Sequence, residues 1–302
     1  MCAIFGLLDY KGVLRHKKRL ALFRALSLAA QVRGTDATGA AWLERGEIHI
    51  RKAPKPAQRM RFRFPDEARA VIGHTRMTTQ GPAEKNCNNH PFLGSAGKHQ
   101  FALAHNGVIS NEKTLGWKYH FPVTQIETDS YVAVQLLQQQ GSLGLQSVSA
   151  MAEELEGSFT ITILDDRGRI CFVKGNNPLS IYHFPEQGIY LYASTPEILN
   201  RALRTAGISW NRQTVWVNQG ELLRIDCTGE VTRGRFNDSR IQPNWNRCWA
   251  PYPMPAADEA YLSVLGRQAE QMGIPAEEIQ ELYQESYDLL DLKDMIYGGE
   301  YP

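Results

Sequence analysis

The sequence predicts an α+β layered domain in which antiparallel sheets are stacked and covered by helices. Three observations predict it. Short apolar or β-branched runs bounded by turn residues fall into two groups, one closing with QFALAHN and one opening with SFTITILDD. Two helical patterns stand between the groups, and no regular strand-helix alternation of the kind a parallel βαβ chain requires is present.

Each element has its own reason. CAIFGLLD reads as a buried strand beginning at the second residue. From His16 to Val32, Leu20, Phe23, Leu26 and Ala30 recur at helical spacing, and RGTDATG then breaks the helix into a glycine-bearing turn. AAWLERGEIHI, AVIGHTR and QFALAHN are strand-like. TDSYVAVQLLQQQ is a helix with Thr128 or Asp129 near its N-terminus, and a second helix follows near Gln146 to Leu155. SFTITILDD, RICFVKG, LSIYHF, IYLYAS and ELLRID read as a meander of antiparallel strands, interrupted by a helix around Pro196 to Arg204. The composition shifts near Ile241, where IQPNWNRCWAPYPMPAA has the Pro- and Trp-rich character of an extended tether. Beyond it, Pro275 suits a first helical turn, and Ile279, Leu282, Tyr283, Ser286 and Leu290 share one face. That face either docks on its own domain, the plainer reading, or on a partner. No internal repeat is evident.

With 302 residues, 43% hydrophobic and 22% charged, the chain can bury a large core as one domain with or without an appendage, and disordered and fibrous classes are excluded. The five cysteines are scattered without a CxxC pair, which argues against a disulfide framework or a zinc cluster and, with no signal-peptide pattern, points to a reducing cytoplasm. No apolar run approaches the roughly 18 to 20 residues of a membrane span. Net charge is +1, but it is unevenly spread: Lys11 to Arg63 is basic, including RKAPKPAQRMRFRF, whereas eleven acidic and two basic residues follow from Asp258 onward. The alternation of basic and aromatic residues in RKAPKPAQRMRFRF admits a nucleic-acid reading, yet no binding motif accompanies it and a solvated face is preferred.

Polar islands at strand ends are where chemistry would sit: RGTDATG from Arg33, GHTRMTTQG from Gly73, AHNGVISN from Ala104 and ETDSYV from Glu127. Asn106 and Gly107 pair a side-chain amide with an unhindered backbone N–H, a donor couple suited to an oxyanion; the alternative is a plain Asn-Gly hairpin turn. Arg76 suits a carboxylate or a structural ion pair. Asp129 suits a substrate ammonium or a helix cap. His74, His90 and His105 invite a metal reading, but they are widely separated and lack a supporting carboxylate pattern, so structural histidines are the better reading and no metal is expected. Cys2 alone is an inert apolar-strand cysteine unless an acyl-transfer site surrounds it.

Taken in order, CAIFG, RGTDATG, GHTRMTTQG, NNHPF, AHNGVISN and ETDS strongly resemble the class II glutamine amidotransferase domain, an N-terminal-nucleophile hydrolase. The motifs cover about the first 130 residues, and KGNNPLSIYHF and YASTPEIL carry the similarity to about Arg235. The resemblance implies a four-layer αββα sandwich. It implies that the initiator methionine is removed and that Cys2 attacks the side-chain amide of glutamine with its own α-amino group as general base. An α-amine near pKa 7.7–8 and a thiol near about 8.5 exchange a proton almost evenly at neutral pH. Asn106 and Gly107 would form the oxyanion hole, Arg76 would bind the α-carboxylate and Asp129 the α-ammonium, Arg33 and Gly34 would shape the turn over the nucleophile, and Thr78 and His90 join them as substrate-binding residues. No cofactor is implied.

The expected divisions are a glutaminase domain over 1–240, a tether over 241–256 and an acidic helical extension over 257–302. The extension is too short for a phosphosugar isomerase, phosphoribosyltransferase or synthetase domain, so a partner synthase or other ammonia acceptor is expected, with the acidic tail a candidate docking element. Met77 stands where family members often carry an aromatic residue, which leaves gating of the ammonia path open. The rival readings are an N-terminal cysteine amidase acting on another amide and a non-catalytic assembly subunit.

Overall fold

The computed structural model describes residues 2–241, 256–271, 274–284 and 292. The chain divides into two units, 1–243 and 244–302. In the first, β1 (Ala3–Asp9) leads to α1 (His16–Ala30), then β2 (Ala37–Glu44), β3 (Glu47–Ala53), β4 (Ala70–Arg76), β5 (Phe92–Ala96) and β6 (His99–Ile109). Helices α2 (Glu112–Lys118), α3 (Tyr131–Gln140) and α4 (Leu145–Glu154) come next, then β7 (Gly157–Asp165), β8 (Ile170–Lys174), β9 (Ser180–Phe184) and β10 (Ile189–Ala193). The unit closes with α5 (Pro196–Thr205), β11 (Gln213–Thr214), β12 (Glu221–Ile225) and β13 (Val231–Arg235).

The strands form two antiparallel sheets, ordered β11-β9-β10-β1-β4-β2-β3 and β13-β12-β8-β7-β6-β5. All seven residues of β1 are buried because both faces of its sheet are covered, so the run is continuously apolar rather than alternating. Ala3, Phe5 and Leu7 join the core beneath α1 and α5, while Ile4 and Leu8 join the core between the sheets. On β6, Phe101 and Leu103 face the core under α3 and α4, whereas Ala102 and Ala104 face the space between the sheets. Helix, sheet, sheet, helix is therefore the order of layers, and the expected αββα sandwich is present.

The two strand groups do not each form one sheet. β1, from the first group, is hydrogen-bonded to β10 from the second, and β6 is paired with β7. The five later runs are not a single meander either: β7, β8 and β12 lie in one sheet, β9 and β10 in the other. Period-two patterning sets which face of a strand is buried, not which neighbour it pairs with. At α3 the expected cap is absent as well. Ser130 precedes the helix without a side-chain capping bond, and the Asp129 carboxylate accepts from the amides of Ile109 and Ser130 instead.

In the second unit, α6 (Ala256–Gln271) and α7 (Ala276–Gln284) form a pair, in which Ile279, Leu282 and Tyr283 meet Leu262, Leu265 and Ala269. The apolar face read from the sequence thus has a helical partner within its own unit. Ser286, Leu290, Cys248 and the tether from residue 242 to 255 lie outside the described residues. Among the described residues no helix is long and apolar enough to cross a membrane.

Candidate active site

Cys2 stands immediately before β1; Arg76 ends β4, Asn106 and Gly107 lie near the end of β6, and Asp129 shortly precedes α3. The Cys2 thiol is bracketed by the backbone of Met77: the Met77 amide donates to Sγ at 3.4 Å, and Sγ lies 3.4 Å from the Met77 carbonyl oxygen. The Cys2 carbonyl accepts from Arg33 Nε at 3.0 Å. Protein crowds the sulfur, and this loss of solvation pushes the thiol above its ordinary pKa, against the Met77 hydrogen bond and the positive charge of Arg76. A thiol so raised is protonated at neutral pH and needs a base to act as a nucleophile.

Gly34 lies at the turn after α1, where a Cβ would stand 2.4 Å from the Arg76 carbonyl carbon and 2.6 Å from its oxygen. Only the absence of a side chain lets this turn rest on the end of β4. The turn is held there by the Asp36 amide, which donates to Arg76 O at 3.0 Å, and by Asp36 Oδ2, which accepts from the Thr78 amide at 2.7 Å. Thr78 itself is exposed.

Arg76 is 3% exposed. Its Nη1 donates to Asn89 Oδ1 at 2.7 Å, and its Nη2 to the carbonyls of Gln80 and Gly81 at 2.5 and 2.7 Å. All three acceptors are neutral. Asp129 is 4% exposed; its Oδ2 accepts from Ile109 N at 2.6 Å and its Oδ1 from Ser130 N at 2.8 Å and Ser130 Oγ at 3.2 Å. Neither residue takes part in a salt bridge among the described residues. Arg76 is influenced by the charges of Asp129 and of a Cys2 thiolate, and the Cys2 thiol by those of Arg76 and Asp129. Two buried, opposite charges without an ion partner among the described residues, both within electrostatic reach of a thiol, suit a ligand carrying both an ammonium and a carboxylate.

Asn106 and Gly107 are not a hairpin turn. They lie inside β6, opposite Thr160 and Phe159. Gly107 has φ 147°, and a Cβ there would fall 1.9 Å from Ser158 O and 2.6 Å from Asn177 Nδ2, so glycine is demanded by both conformation and space. Asn106 Nδ2 lies 3.5 Å from Ser194 Oγ, which in turn accepts from Ile4 N at 3.0 Å. Through Ser194 the Asn106 amide is tied to β1, the strand that follows Cys2.

The three histidines are brought close together. The His90 ring is tilted against His74, with centroids 4.2 Å apart, and meets Phe92 at 4.4 Å, with His105 at 6.4 Å. Burial holds His74 down at about 3 and lowers His90 and His105 as well. His90 has neither ring nitrogen hydrogen-bonded; it is enclosed among aromatic rings, with its neighbour Asn89 supplying the contact to Arg76. Among the described residues no group of three or more His, Cys, Asp and Glu suited to a metal ion occurs.

Three contributors carry no signal in the sequence. The Met77 backbone is the immediate surroundings of the sulfur, Asn89 steadies Arg76, and Ser194 links Asn106 to β1. Asn89 and Ser194 both lie in quoted motifs, NNHPF and YASTPEIL, but short polar residues in such runs do not disclose what they touch.

Residues 74–201 match the glutamine amidotransferase domain family. Over this stretch the chain is similar to glutamine amidotransferase domains. Among curated proteins it is similar to glutamine–fructose-6-phosphate aminotransferase (isomerizing) of Rhizobium leguminosarum bv. viciae, at 32% identity over 198 residues, covering 61% of this chain and 30% of that protein. The enzyme of the same name from Sulfolobus acidocaldarius is 28% identical over 233 residues, covering 74% and 36%. The chain therefore spans about a third of the length of these relatives. The structure described as the allosteric regulatory enzyme of purine biosynthesis superposes with a TM-score of 0.63 at 20% identity, covering 89% of this chain and 58% of the other. Glutamine phosphoribosylpyrophosphate amidotransferase from B. subtilis gives 0.59 at the same identity and coverage. The first unit thus shares the fold of these amidotransferase structures, in keeping with the expected αββα sandwich.

Proposed function

We propose that the chain hydrolyses L-glutamine to glutamate and ammonia through a thioester on Cys2, with 1–240 as the glutaminase domain, 241–256 as a tether and 257–302 as an acidic extension. One observation carries the reading: Arg76 and Asp129, oppositely charged, buried and without an ion partner among the described residues, both act electrostatically on the Cys2 thiol. The α-carboxylate of glutamine supplies the counter-charge to Arg76 and its α-ammonium the counter-charge to Asp129. Simple amides leave both charges uncompensated and react poorly.

In the proposed cycle, removal of Met1 frees the Cys2 α-amine. The amine takes the thiol proton as Sγ bonds to the side-chain amide carbon, and the carbonyl oxygen becomes an oxyanion between Asn106 Nδ2 and Gly107 N–H. The C–N bond breaks as the ammonium returns its proton to the departing nitrogen, releasing ammonia and leaving the thioester. Water, deprotonated by the same amine, then adds to the thioester carbon and expels the thiol, freeing glutamate. The raised pKa of Cys2 is the reason a local base is required. Ammonia passes to a partner synthase or other acceptor, and a reducing cytoplasm keeps the thiol competent.

The test is glutamate release from glutamine by the full chain, paired with mass spectrometry of its N-terminus. Release by Met1-free protein and none by Cys2→Ala supports the reading. Undiminished release by Cys2→Ala, or by protein with a blocked first nitrogen, overturns it. Preference for an acylated amide lacking an amino-acid head would favour the rival amidase.

A further inference from the structure

We propose that a cationic groove between α1 and the segment 58–63 binds a small ligand bearing two or more linked phosphates. The basic run that the glutaminase chemistry leaves unused builds this groove, so the proposal stands apart from that reading.

The groove has a volume of about 740 Å³, within the roughly 300–1,000 Å³ of small-molecule sites. Its floor is apolar, from Leu20, Ala21, Met60 and Phe62; its rim is Arg24, Arg59, Arg61 and Arg63. No aspartate or glutamate occurs from residue 48 to 65, and none of the four rim arginines takes part in a salt bridge among the described residues. Arg59 and Arg61 also line an adjoining groove with Arg51, Lys52 and Lys55. So many uncompensated cations repel one another unless an anion joins them.

The groove is built rather than draped. The Gln58 amide donates to Gln31 Oε1 at 2.9 Å, anchoring the segment to the end of α1. From there exposure alternates: Arg59, Arg61 and Arg63 are exposed, Met60 and Phe64 buried and Phe62 half-buried. Phe62 and Phe64 meet the Phe23 ring edge-on at 5.1 and 5.6 Å. Arg59 ends a short helical turn and the chain is extended from Met60, where residues two apart, such as Arg61 and Arg63, recur on one side at about 7 Å, a spacing their long side chains close onto a diphosphate. Guanidinium forks recognise phosphate oxygens in pairs.

The same contacts weigh against nucleic acid. Single-strand binding combines a basic track with several aromatic rings free to stack on successive bases, and here Phe64 is buried and Phe62 half-buried with its edge against Phe23. A bounded groove with inward-turned rings fits a compact phosphate ligand.

The experiment is calorimetric titration of the full chain at fixed low salt with inorganic pyrophosphate, ADP and adenosine. Saturable pyrophosphate binding, weakened at least tenfold in Arg59→Gln/Arg61→Gln/Arg63→Gln and measurably in Arg61→Gln alone, supports the proposal. ADP binding as tightly as pyrophosphate assigns recognition to phosphate alone; tenfold tighter ADP binding points to a nucleotide whose base uses the apolar floor. Both support it. Absence of saturable pyrophosphate and ADP binding overturns it. So do adenosine binding equal to that of ADP, an equal loss in Lys98→Gln/Lys113→Gln, or a single-stranded RNA that competes at lower concentration than either phosphate ligand. Circular dichroism of each variant checks that the fold is retained, and Arg61→Gln carries the test if the triple variant does not fold.

Discussion

Asn106 and Ser194 lie side by side, yet their truncations should fail in opposite ways. Ser194 Oγ is the acceptor for the Ile4 amide at 3.0 Å, on a strand residue with no solvent exposure. Ser194→Ala leaves that donor orphaned at a cost of about 1–3 kcal/mol of stability. Its contact with Asn106 Nδ2, at 3.5 Å, sits at the limit of a hydrogen bond; losing it should raise the barrier by no more than about 1 kcal/mol, or roughly fivefold in kcat. Asn106→Ala removes the donor proposed for the oxyanion, which typically costs about 2.7–4 kcal/mol of barrier, or about 10²- to 10³-fold in kcat. Its side chain holds little else in place. Urea unfolding and glutaminase kinetics on both variants measure the two effects separately. The expected pattern is a destabilised, nearly active Ser194→Ala and a stable, nearly inactive Asn106→Ala. An Asn106→Ala protein within about tenfold of wild type would refute the oxyanion assignment, and an unshifted unfolding midpoint in Ser194→Ala would refute the structural one.

Arg76→Lys should raise KM for glutamine by about 10- to 100-fold, since a point charge replaces a fork whose charge-assisted bonds are worth about 1.5–3 kcal/mol; an unchanged KM would argue against carboxylate binding there. Gly34→Ala should cost about 1–3 kcal/mol by overpacking, because the atoms its Cβ meets at 2.4 and 2.6 Å are Arg76 backbone that cannot rotate away; calorimetry showing an unchanged melting temperature would contradict this. His74 is held neutral down to about pH 3 by burial, whereas in the unfolded chain it titrates near 6.5. The unfolded state therefore takes up a proton that the folded state refuses, and stability is lost as pH falls below 6.5, by about 1 kcal/mol from this residue between pH 6.5 and 5.5. His90 and His105 shift in the same direction and steepen the decline; denaturant unfolding that is flat from pH 7 to 5.5 would contradict this.

Legibility in the sequence followed locality. The strand of CAIFGLLD and the helix from His16 declare themselves because burial and periodicity are properties of neighbouring residues. The helices at 145–154 and 196–205 were legible for the same reason. Which strands pair was not, because the partnership of β1 with β10 joins residues far apart in the chain and leaves no mark in either run. The site divides the same way. Arg76 stands out as a charge closing a strand-like run and Asp129 as one at the start of a helical run, whereas Ser194 and the Met77 backbone matter only through contacts that folding creates. Asn106-Gly107 is the instructive case: the dipeptide favours a turn locally, and the neighbouring strand β7 decides otherwise. Helix α2 and the short strands β5, β11 and β13 were not legible, being too brief to develop a period.

The position of β1 has a consequence for the order of synthesis. Its first hydrogen-bonded neighbour to be made is β4, but the other flank stays open until residues 189–193 have left the ribosome. The sheet therefore cannot close around β1, and around Cys2 just before it, until most of the first unit has been synthesised.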